Sequence, residues 1–408
     1  MSDFYEPCED SELLLRNAIN VIEKMQNKEN LKICEVGVGS GYVISNIAKK
    51  FKKKHEYFGC DINVEAIVST LSMFKEIKQK INLKECDLLE SFDEEFDLIL
   101  FNTPYLPCEE GEKYENLKLI DKAIYGGKNG YEIIEKFILQ VGKNLQFNSK
   151  VVMVFSSLSN FYYIKDVLKR NFYEFEILEN LEVFFEDLIC IKFWRNEFYY
   201  NVLEKGVLDL KYLASGKHSV VYEGKYKLKD IVIKVGLDKD ISIEKMYLEK
   251  LQGEKFVPKF YFSGNGYVVR EKVDGELIGD FLNRAKKREI EIVLNKILEV
   301  TLRMDELGIN KKEMTNPYKH IYVVNKNNDF HIKMIDYERC IFTEKPKNTT
   351  QFLQYIRKNI ELLKSKKIVL SEEKIFLISK EIKKRLETGE ERKETKKEVG
   401  AVQLSDLI

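Results

Sequence analysis

The stretch Phe96–Pro107, FDLILFNTPYLP, constrains this chain more than any other. Only the first residue of Asp97–Phe101 is charged, so the run reads as one strand buried on both faces. It stops abruptly at Asn102-Thr103-Pro104-Tyr105. Asn and Pro are also common in plain strand-to-loop turns. A carboxamide, a proline and an aromatic ring together, however, predict a site, because ligands of open α/β sheets sit just beyond the carboxyl ends of the strands. What kind of site depends on the residues upstream.

After a predicted helix over Ser11–Gln26, Leu31–Val36 reads as a short buried strand that carries the acid Glu35 just ahead of a glycine loop. It runs into Gly37-Val38-Gly39-Ser40-Gly41, and helical spacing resumes over Tyr42–Lys50. Strand, glycine turn and helix form the opening of a nucleotide-binding α/β domain, in which the glycines let a ligand approach the backbone closely. The GxGxG spacing differs from the dinucleotide GxGxxG. The next strand, Tyr57–Cys60, ends in Asp61. That carboxylate lies about 20 residues beyond the glycines, where an acid can bond ribose hydroxyls. A third unit, Ile81–Cys86, ends in Asp87. Each aspartate taken singly reads more simply as a helix N-cap. Acids at three successive strand ends behind a glycine loop point instead to a nucleoside site.

At 408 residues the chain is too long for one ordinary core, and two domains are expected. We place them at residues 1–198 and 199–387, with a charged, mobile tail over 388–408. No run of apolar residues is long enough to span a membrane, and the acidic N-terminus lacks a signal-peptide pattern, so the expected location is cytoplasmic. The seven cysteines are scattered singly without a CxxC pair, as reduced thiols are. Residues 1–195 carry 25 basic against 33 acidic side chains and the remainder 42 against 34, so the two halves have opposite sign and different partners. Neither half has a long basic arm, which disfavours nucleic acid as a partner.

The ordered set EVGVGSG, GCDIN, CDLL and NTPYLP resembles the class I S-adenosylmethionine-dependent methyltransferases. Within them it is similar to the protein-(glutamine-N5) methyltransferases that act on translation release factors. Tyr5–Ser11 (YEPCEDS) resembles the opening of the archaeal and eukaryotic branch, and Tyr125–Gly130 (YGGKNG) resembles its GGxDG segment. The resemblance covers residues 3 to 195. It implies a Rossmann-like α/β domain with a seven-stranded, mostly parallel sheet. It further implies that Glu35 and the loop of Gly37, Gly39 and Gly41 hold the amino-acid end of S-adenosylmethionine, with Asp61 on the ribose and Asp87 near the adenine. A class-1 release factor as substrate and a small zinc-binding activator protein as partner are implied in the same way.

Chemistry supports Asn102–Tyr105 as the acceptor end. A carboxamide nitrogen is a poor nucleophile because its lone pair is delocalised, so the NH2 group must be held by acceptors. The Asn102 side chain and the Thr103 backbone carbonyl supply two. Tyr105 is expected to stack on the planar amide, and Pro104 biases Thr103 to an extended conformation. The family usually has proline at the position of Thr103, and a threonine still presents the carbonyl. The motif is shared with adenine-N6 and other amino methyltransferases acting on nucleic acids or small molecules, which stay open as an alternative.

Leu181–Trp194 has the apolar character of the last antiparallel strands of such a domain. Beyond residue 200, Leu213–Gly224 (LASGKHSVVYEG) is followed by Ile231-Val232-Ile233-Lys234. A lysine in a buried β run needs a partner, and Glu244 on a following amphipathic helix is placed to be one. Leu307–Met314 and then Met334-Ile335-Asp336-Tyr337-Glu338 complete an order that resembles the protein-kinase fold, closest to small atypical kinases of archaea. The resemblance implies a bilobal α+β domain in which Lys234 and Glu244 serve ATP, Glu313 accepts a hydroxyl proton and Asp336 binds Mg2+. Lys311 stands where that family has histidine. Tyr318 stands where it has asparagine, so His320 or Asn316 is left to complete the metal site. A non-catalytic scaffold is the alternative for this half. Val402, Leu404, Leu407 and Ile408 suggest a short docking helix at the end.

Overall fold

The computed structural model describes residues 6–25, 30–109, 113–237, 241–327, 329–388 and 402–407. The chain divides into two compact units, Met1–Gly206 and Val207–Ile408.

The first unit alternates strands and helices. The strands are β1 Lys32–Val36, β2 Glu56–Asp61, β3 Ile81–Glu85, β4 Phe96–Asn102, β5 Leu106–Pro107, β6 Tyr125–Gly127, β7 Leu145–Ser156, β8 Tyr173–Val183 and β9 Glu186–Arg195. The helices are α1 Glu9–Lys24, α2 Tyr42–Phe51, α3 Val64–Glu76, α4 Leu119–Lys122, α5 Glu132–Gln140, α6 Phe161–Arg170 and α7 Glu197–Glu204. Seven strands form one sheet in the order β3-β2-β1-β4-β7-β9-β8. It is parallel from β3 to β7, and β9 runs antiparallel to both of its neighbours. Residues Phe96–Phe101 are all buried, as a central strand covered on both faces requires. Asp97, the charge at its start, accepts from the Lys32 amide at 2.9 Å and the Gln146 side chain at 2.6 Å.

This order has its switch point between β1 and β4, where open α/β sheets bind ligands. Val36 lies opposite Phe101. The glycine loop and Asn102 therefore leave the sheet side by side. The expected final strands at Leu181–Trp194 caught only the end of β8, whose alternating exposed acids (YEFEILENLEV) disguise an edge strand. The observed boundary between units lies later than 198/199 because α7 packs back on the first unit. There the Tyr200 hydroxyl donates to the Gln146 carbonyl at 2.8 Å, and its ring meets Phe147 edge-on.

The second unit opens with β10 Val207–Ser215, β11 Ser219–Tyr226, β12 Lys229–Gly236, β13 Phe260–Gly264 and β14 Tyr267–Glu271. They form an antiparallel sheet in the order β10-β11-β12-β14-β13, with helix α8, Ser242–Lys250, between β12 and β13. A mainly helical part follows: α9 Ile278–Arg284, α10 Lys287–Glu306, α11 Asn348–Lys358, α12 Ile360–Ser365 and α13 Glu372–Thr388. Two small sheets accompany it. One pairs β15 Glu276–Leu277, β17 Ile321–Lys326 and β18 Asp329–Met334; the other pairs β16 Ile309–Lys311 with β19 Cys340–Phe342. The α10 stripe of Ile290, Val293, Leu294, Ile297 and Leu298 is buried, at the spacing of a core-facing helix.

Leu404–Leu407 forms a short 3-10 turn with Leu404 and Leu407 buried, in line with a docked end. The rest of the expected mobile tail, residues 389–401, lies outside the described residues, as do Tyr5 and Ile408. No described helix is long and apolar enough to cross a membrane. All seven cysteines are free thiols.

Candidate functional site

In the first unit the carboxyl ends of β1, β2 and β4 open into a cleft of about 1010 Å³ including its mouth. Glu35, Gly37, Gly39, Asp61, Asp87, Asn102 and Pro104 all line it, so residues far apart in sequence converge there. Gly37 and Gly39 have positive φ, which bends the loop around the cleft floor. The Asp61 carboxylate accepts from the Gly39 amide at 3.0 Å and the Asn63 amide at 2.9 Å. These bonds fix its position and leave lone pairs for a hydroxyl donor. Burial pushes the Asp61 carboxyl up, opposed by those amides. Glu35 is nearly fully buried. One of its oxygens accepts from the Ile44 amide at 2.9 Å, and burial raises its carboxyl well above the usual range. Asp87 is half exposed and paired with Lys136 at 2.6 Å.

Gly41 does not line the cleft. It is the left-handed N-cap of α2, and a Cβ there would lie 2.8 Å from the Thr70 hydroxyl. Its role is to let α2 approach α3. Apolar lining comes from Val38, Ile62, Leu88, Phe101 and Ile133; four of them stand inside the motifs, but none was singled out as a site residue. Ser11, Tyr42 and Tyr114 also reach the cleft. Burial pushes the Tyr114 hydroxyl up to about 12.

At the other end of the cleft, the Asn102 side-chain oxygen is buried with no hydrogen-bond partner among the described residues. An unmet buried acceptor is costly and marks a place for a donor that arrives with a ligand. Thr103 is buried, and both its hydroxyl and its amide donate to the Val154 carbonyl, at 2.9 and 3.2 Å. Proline in its place would supply neither donor. The Thr103 carbonyl accepts no bond from the described residues. Tyr105 does not line the cleft. Its ring packs into the core, its hydroxyl donates to Asp10 at 3.3 Å, and its carbonyl accepts from the Ser159 hydroxyl at 2.9 Å. Burial, reinforced by the nearby charge of Asp10, holds its hydroxyl far above the ordinary value. The glycine segment braces this loop from behind. A Cβ on Gly126 would lie 2.4 Å from the Pro104 carbonyl oxygen.

The second unit holds a compact charge cluster. The Lys234 ammonium is buried and lies 2.7 Å from Glu244, 2.9 Å from Asp336 and 3.2 Å from Glu338. The expected Lys234–Glu244 pair is therefore present, and Glu338 is an addition that no spacing rule marked. Carboxylate oxygens of Glu244, Asp336 and Glu338 lie within 4.8 Å of one another, close enough to hold a metal ion. Burial works against the charge on Lys234, but its carboxylate neighbours outweigh it and raise its pKa. Burial likewise opposes ionisation of Asp336, and Lys234, Lys311 and His320 overcome it, lowering the carboxyl.

Asp336 has a left-handed backbone, φ 65°, and its carbonyl accepts from the fully buried ammonium of Lys311. The Lys311 ammonium also stands 3.6 Å from Glu313, so it links the expected base to the expected metal ligand. Of the two candidates left to complete the metal site, His320 lies 3.5 Å from Asp336. Burial, with Lys311 behind it, lowers its pKa. Asn316 stays exposed, and Tyr318 turns to Asn359 at 3.0 Å.

A family model described as the methyltransferase small domain matches residues 16–185. The chain is 37% identical over 193 residues to a provisionally named protein N5-glutamine methyltransferase of Methanocaldococcus jannaschii, covering 47% of this chain and 92% of that one. It is 32% identical to the release factor glutamine methyltransferase of Dictyoglomus turgidum, covering 43% of this chain and 62% of the relative. It is 24% identical to the eRF1 methyltransferase catalytic subunit mtq2 of Schizosaccharomyces pombe, over 41% and 79%. Several bacterial relatives are thus spanned for only about half to two-thirds of their length, down to 46% for that of Koribacter versatilis. Among solved structures, the E. cuniculi Mtq2–Trm112 complex, described as responsible for methylation of the eRF1 termination factor, is 23% identical. Its TM-score is 0.37, over 48% of this chain and 100% of that one.

Proposed function

The chain belongs to the small-domain methyltransferases as an S-adenosylmethionine-dependent N-methyltransferase with the Rossmann-like class I fold, and from that premise we propose that its acceptor is a glutamine side-chain amide of a class-1 translation release factor. The observation that carries this reading is the Asn102 oxygen, buried and without a partner among the described residues, on a side chain that lines the cleft.

The cleft suits the cofactor. Carboxylates at the ends of β1 and β2 and after β3 offer acceptors to hydroxyl and amino groups, and the apolar lining suits a purine and an aliphatic chain. Glu35 and the Gly37–Gly39 turn would hold the amino-acid end, Asp61 the ribose and Asp87 the adenine edge. When bound, S-adenosylmethionine supplies an electrophilic methyl group. Asn102 accepts one amide N–H of the substrate and the Thr103 carbonyl the other, which turns the nitrogen toward the methyl-donor end of the cleft. Threonine serves here because its own two donors anchor the backbone to Val154. Tyr105 acts from outside the cleft, tying the loop to Asp10 and Ser159.

Methyl transfer onto a purified class-1 release factor, followed by mass mapping of the modified residue, tests the reading. Asn102→Ala should lower the rate by about 10²–10³-fold, the scale of losing one preorganised polar group. Unchanged transfer would remove Asn102 from the site, and methyl on nucleic acid would replace the acceptor. The expected zinc-binding activator fits the free edge of the sheet at β3. Beside that edge, Ile62, Val64, Val68 and Leu71 expose 36–54% of their surface.

For the second unit the cluster at Lys234 favours a kinase-like nucleotide site. Lys234, held by Glu244, would meet phosphate oxygens, and Asp336 with Glu338 would bind Mg2+, which prefers such oxygen ligands. Glu313 would accept the proton of a hydroxyl substrate. A thermal shift with Mg-ATP that disappears in Lys234→Ala and Asp336→Ala is expected. A shift that survives both would sink this site.

A further inference from the structure

The hairpin between β8 and β9 turns on two residues, Phe184 and Phe185, with Val183 paired to Glu186. Two-residue hairpin turns favour glycine, asparagine or aspartate, so the turn itself does not call for aromatic rings. Phe184 is 97% and Phe185 93% exposed, and neither has a left-handed backbone. Leaving two phenylalanine rings in water forgoes a large burial gain, which marks the tip as half of an interface.

Its position says which one. Asn102 lies opposite Val154 on β7, and Ser156 at the end of β7 lies opposite Leu188 on β9. The tip is therefore at the same end of the sheet as the cleft, roughly 10 Å beyond the level of Ser156 at the usual rise per residue. It is also fastened to the acceptor loop. The Asp187 amide donates to the Ser157 hydroxyl at 3.0 Å, and two residues on Ser159 holds the Tyr105 carbonyl. Glu186, next to the tip, is near enough to raise the Tyr105 hydroxyl, and one of its oxygens is buried without a partner among the described residues. Glu182 and Asp187, exposed and paired with each other across the hairpin just behind the rings, add negative charge there, on a half of the chain that is acidic overall.

We propose that the Phe184–Phe185 tip is the docking element for the protein that carries the acceptor amide. The rings enter an apolar recess on that protein, and the recess is rimmed by lysine or arginine side chains that face Glu182 and Asp187. The tip thereby presents the acceptor segment to Asn102 and the Thr103 carbonyl. This rests on the acceptor being a release factor, as read above.

The test compares wild type with Phe184→Ser/Phe185→Ser, a fully exposed pair whose exchange spares the core. Binding of an intact class-1 release factor is titrated in the presence of S-adenosylhomocysteine, and transfer kinetics are measured on the same protein. The double variant should weaken binding and raise KM by roughly tenfold or more, as loss of an aromatic anchor does. Neither kcat nor S-adenosylmethionine affinity should change. Release-factor binding and KM equal to wild type would overturn the docking role alone. No binding or transfer by wild type would overturn the release-factor reading and this docking with it. If sedimentation shows that the substitution dissolves a dimer of this chain instead, the tip is a self-association element and the proposal is wrong.

Discussion

The two units treat buried polar groups in opposite ways. In the first, the acceptor end of the cleft is left unmet: the Asn102 oxygen is buried without a donor and the Thr103 carbonyl accepts nothing from the described residues. In the second, the Lys234 ammonium is enclosed by Glu244, Asp336 and Glu338, and Lys311 ties Asp336 to Glu313. A site with unmet acceptors gains bonds when its ligand arrives. A self-neutralised cluster must exchange existing ion pairs for new ones, so its charges support the fold as well as any ligand.

The sharpest way to break this contrast is Lys234→Ala. It leaves three neighbouring carboxylates without their shared cation, two of them more than two-thirds buried and Glu244 almost wholly so. Unfolding of the second unit should become easier by about 3–5 kcal/mol, the scale for breaking a buried pair on one side. Calorimetry of the whole chain would read this as an earlier transition for that unit. A loss below the scale of an exposed pair would show that solvent already screens the cluster.

In the first unit, Asn102→Ala should leave the unfolding midpoint nearly unchanged while lowering transfer by about 10²–10³-fold, because the oxygen it deletes accepts no bond from the described residues. Gly126→Ala is expected to do the reverse of a neutral change. Its new methyl group must displace the Pro104 carbonyl or the Gly130 carbonyl, each 2.4 Å away. A cost of about 1–3 kcal/mol is typical of overpacking, and transfer should fall with it because the acceptor loop shifts.

Acid separates the units more gently. The Asp336 carboxyl is lowered from its ordinary 3.8, so its contribution to stability is fully present above that value. The contribution is lost as pH falls through the lower folded-state value. Acid titration of the second unit should show this loss, and Lys234→Ala should flatten it. An unaltered acid profile in the variant would mean that Asp336 draws its shift from Lys311 and His320.

Much of this was legible along the chain. The buried run ending at Asn102 predicted β4 and its polar stop, because both are local patterns. The Lys234–Glu244 pair was legible because a lysine in a β run demands a counter-charge. Tyr105 was misread as a stacking ring, since nothing local says that Asp10, 95 residues away, takes its hydroxyl. Gly41 was grouped with the loop because motif spacing cannot distinguish a ligand-facing glycine from one that admits a neighbouring helix. Lys311 was noted only as standing in the histidine position and Glu338 only as part of the Met334–Glu338 run; nothing local shows that Lys311 reaches the Asp336 carbonyl or that Glu338 reaches Lys234.

By itself, then, the sequence determined the alternation of strands and helices, the glycine turn, the acids at three strand ends and the NTPY stop. All of these follow from periodicity and from side-chain chemistry over a few residues. Only the tertiary structure decided that β1 and β4 are neighbours, that the Thr103 carbonyl accepts no bond from the described residues while its hydroxyl is used, and that an aromatic hairpin tip stands at the same end of the sheet as the acceptor loop. Those outcomes depend on strand order and register, which are set by how whole layers pack and not by the residues adjacent in the chain.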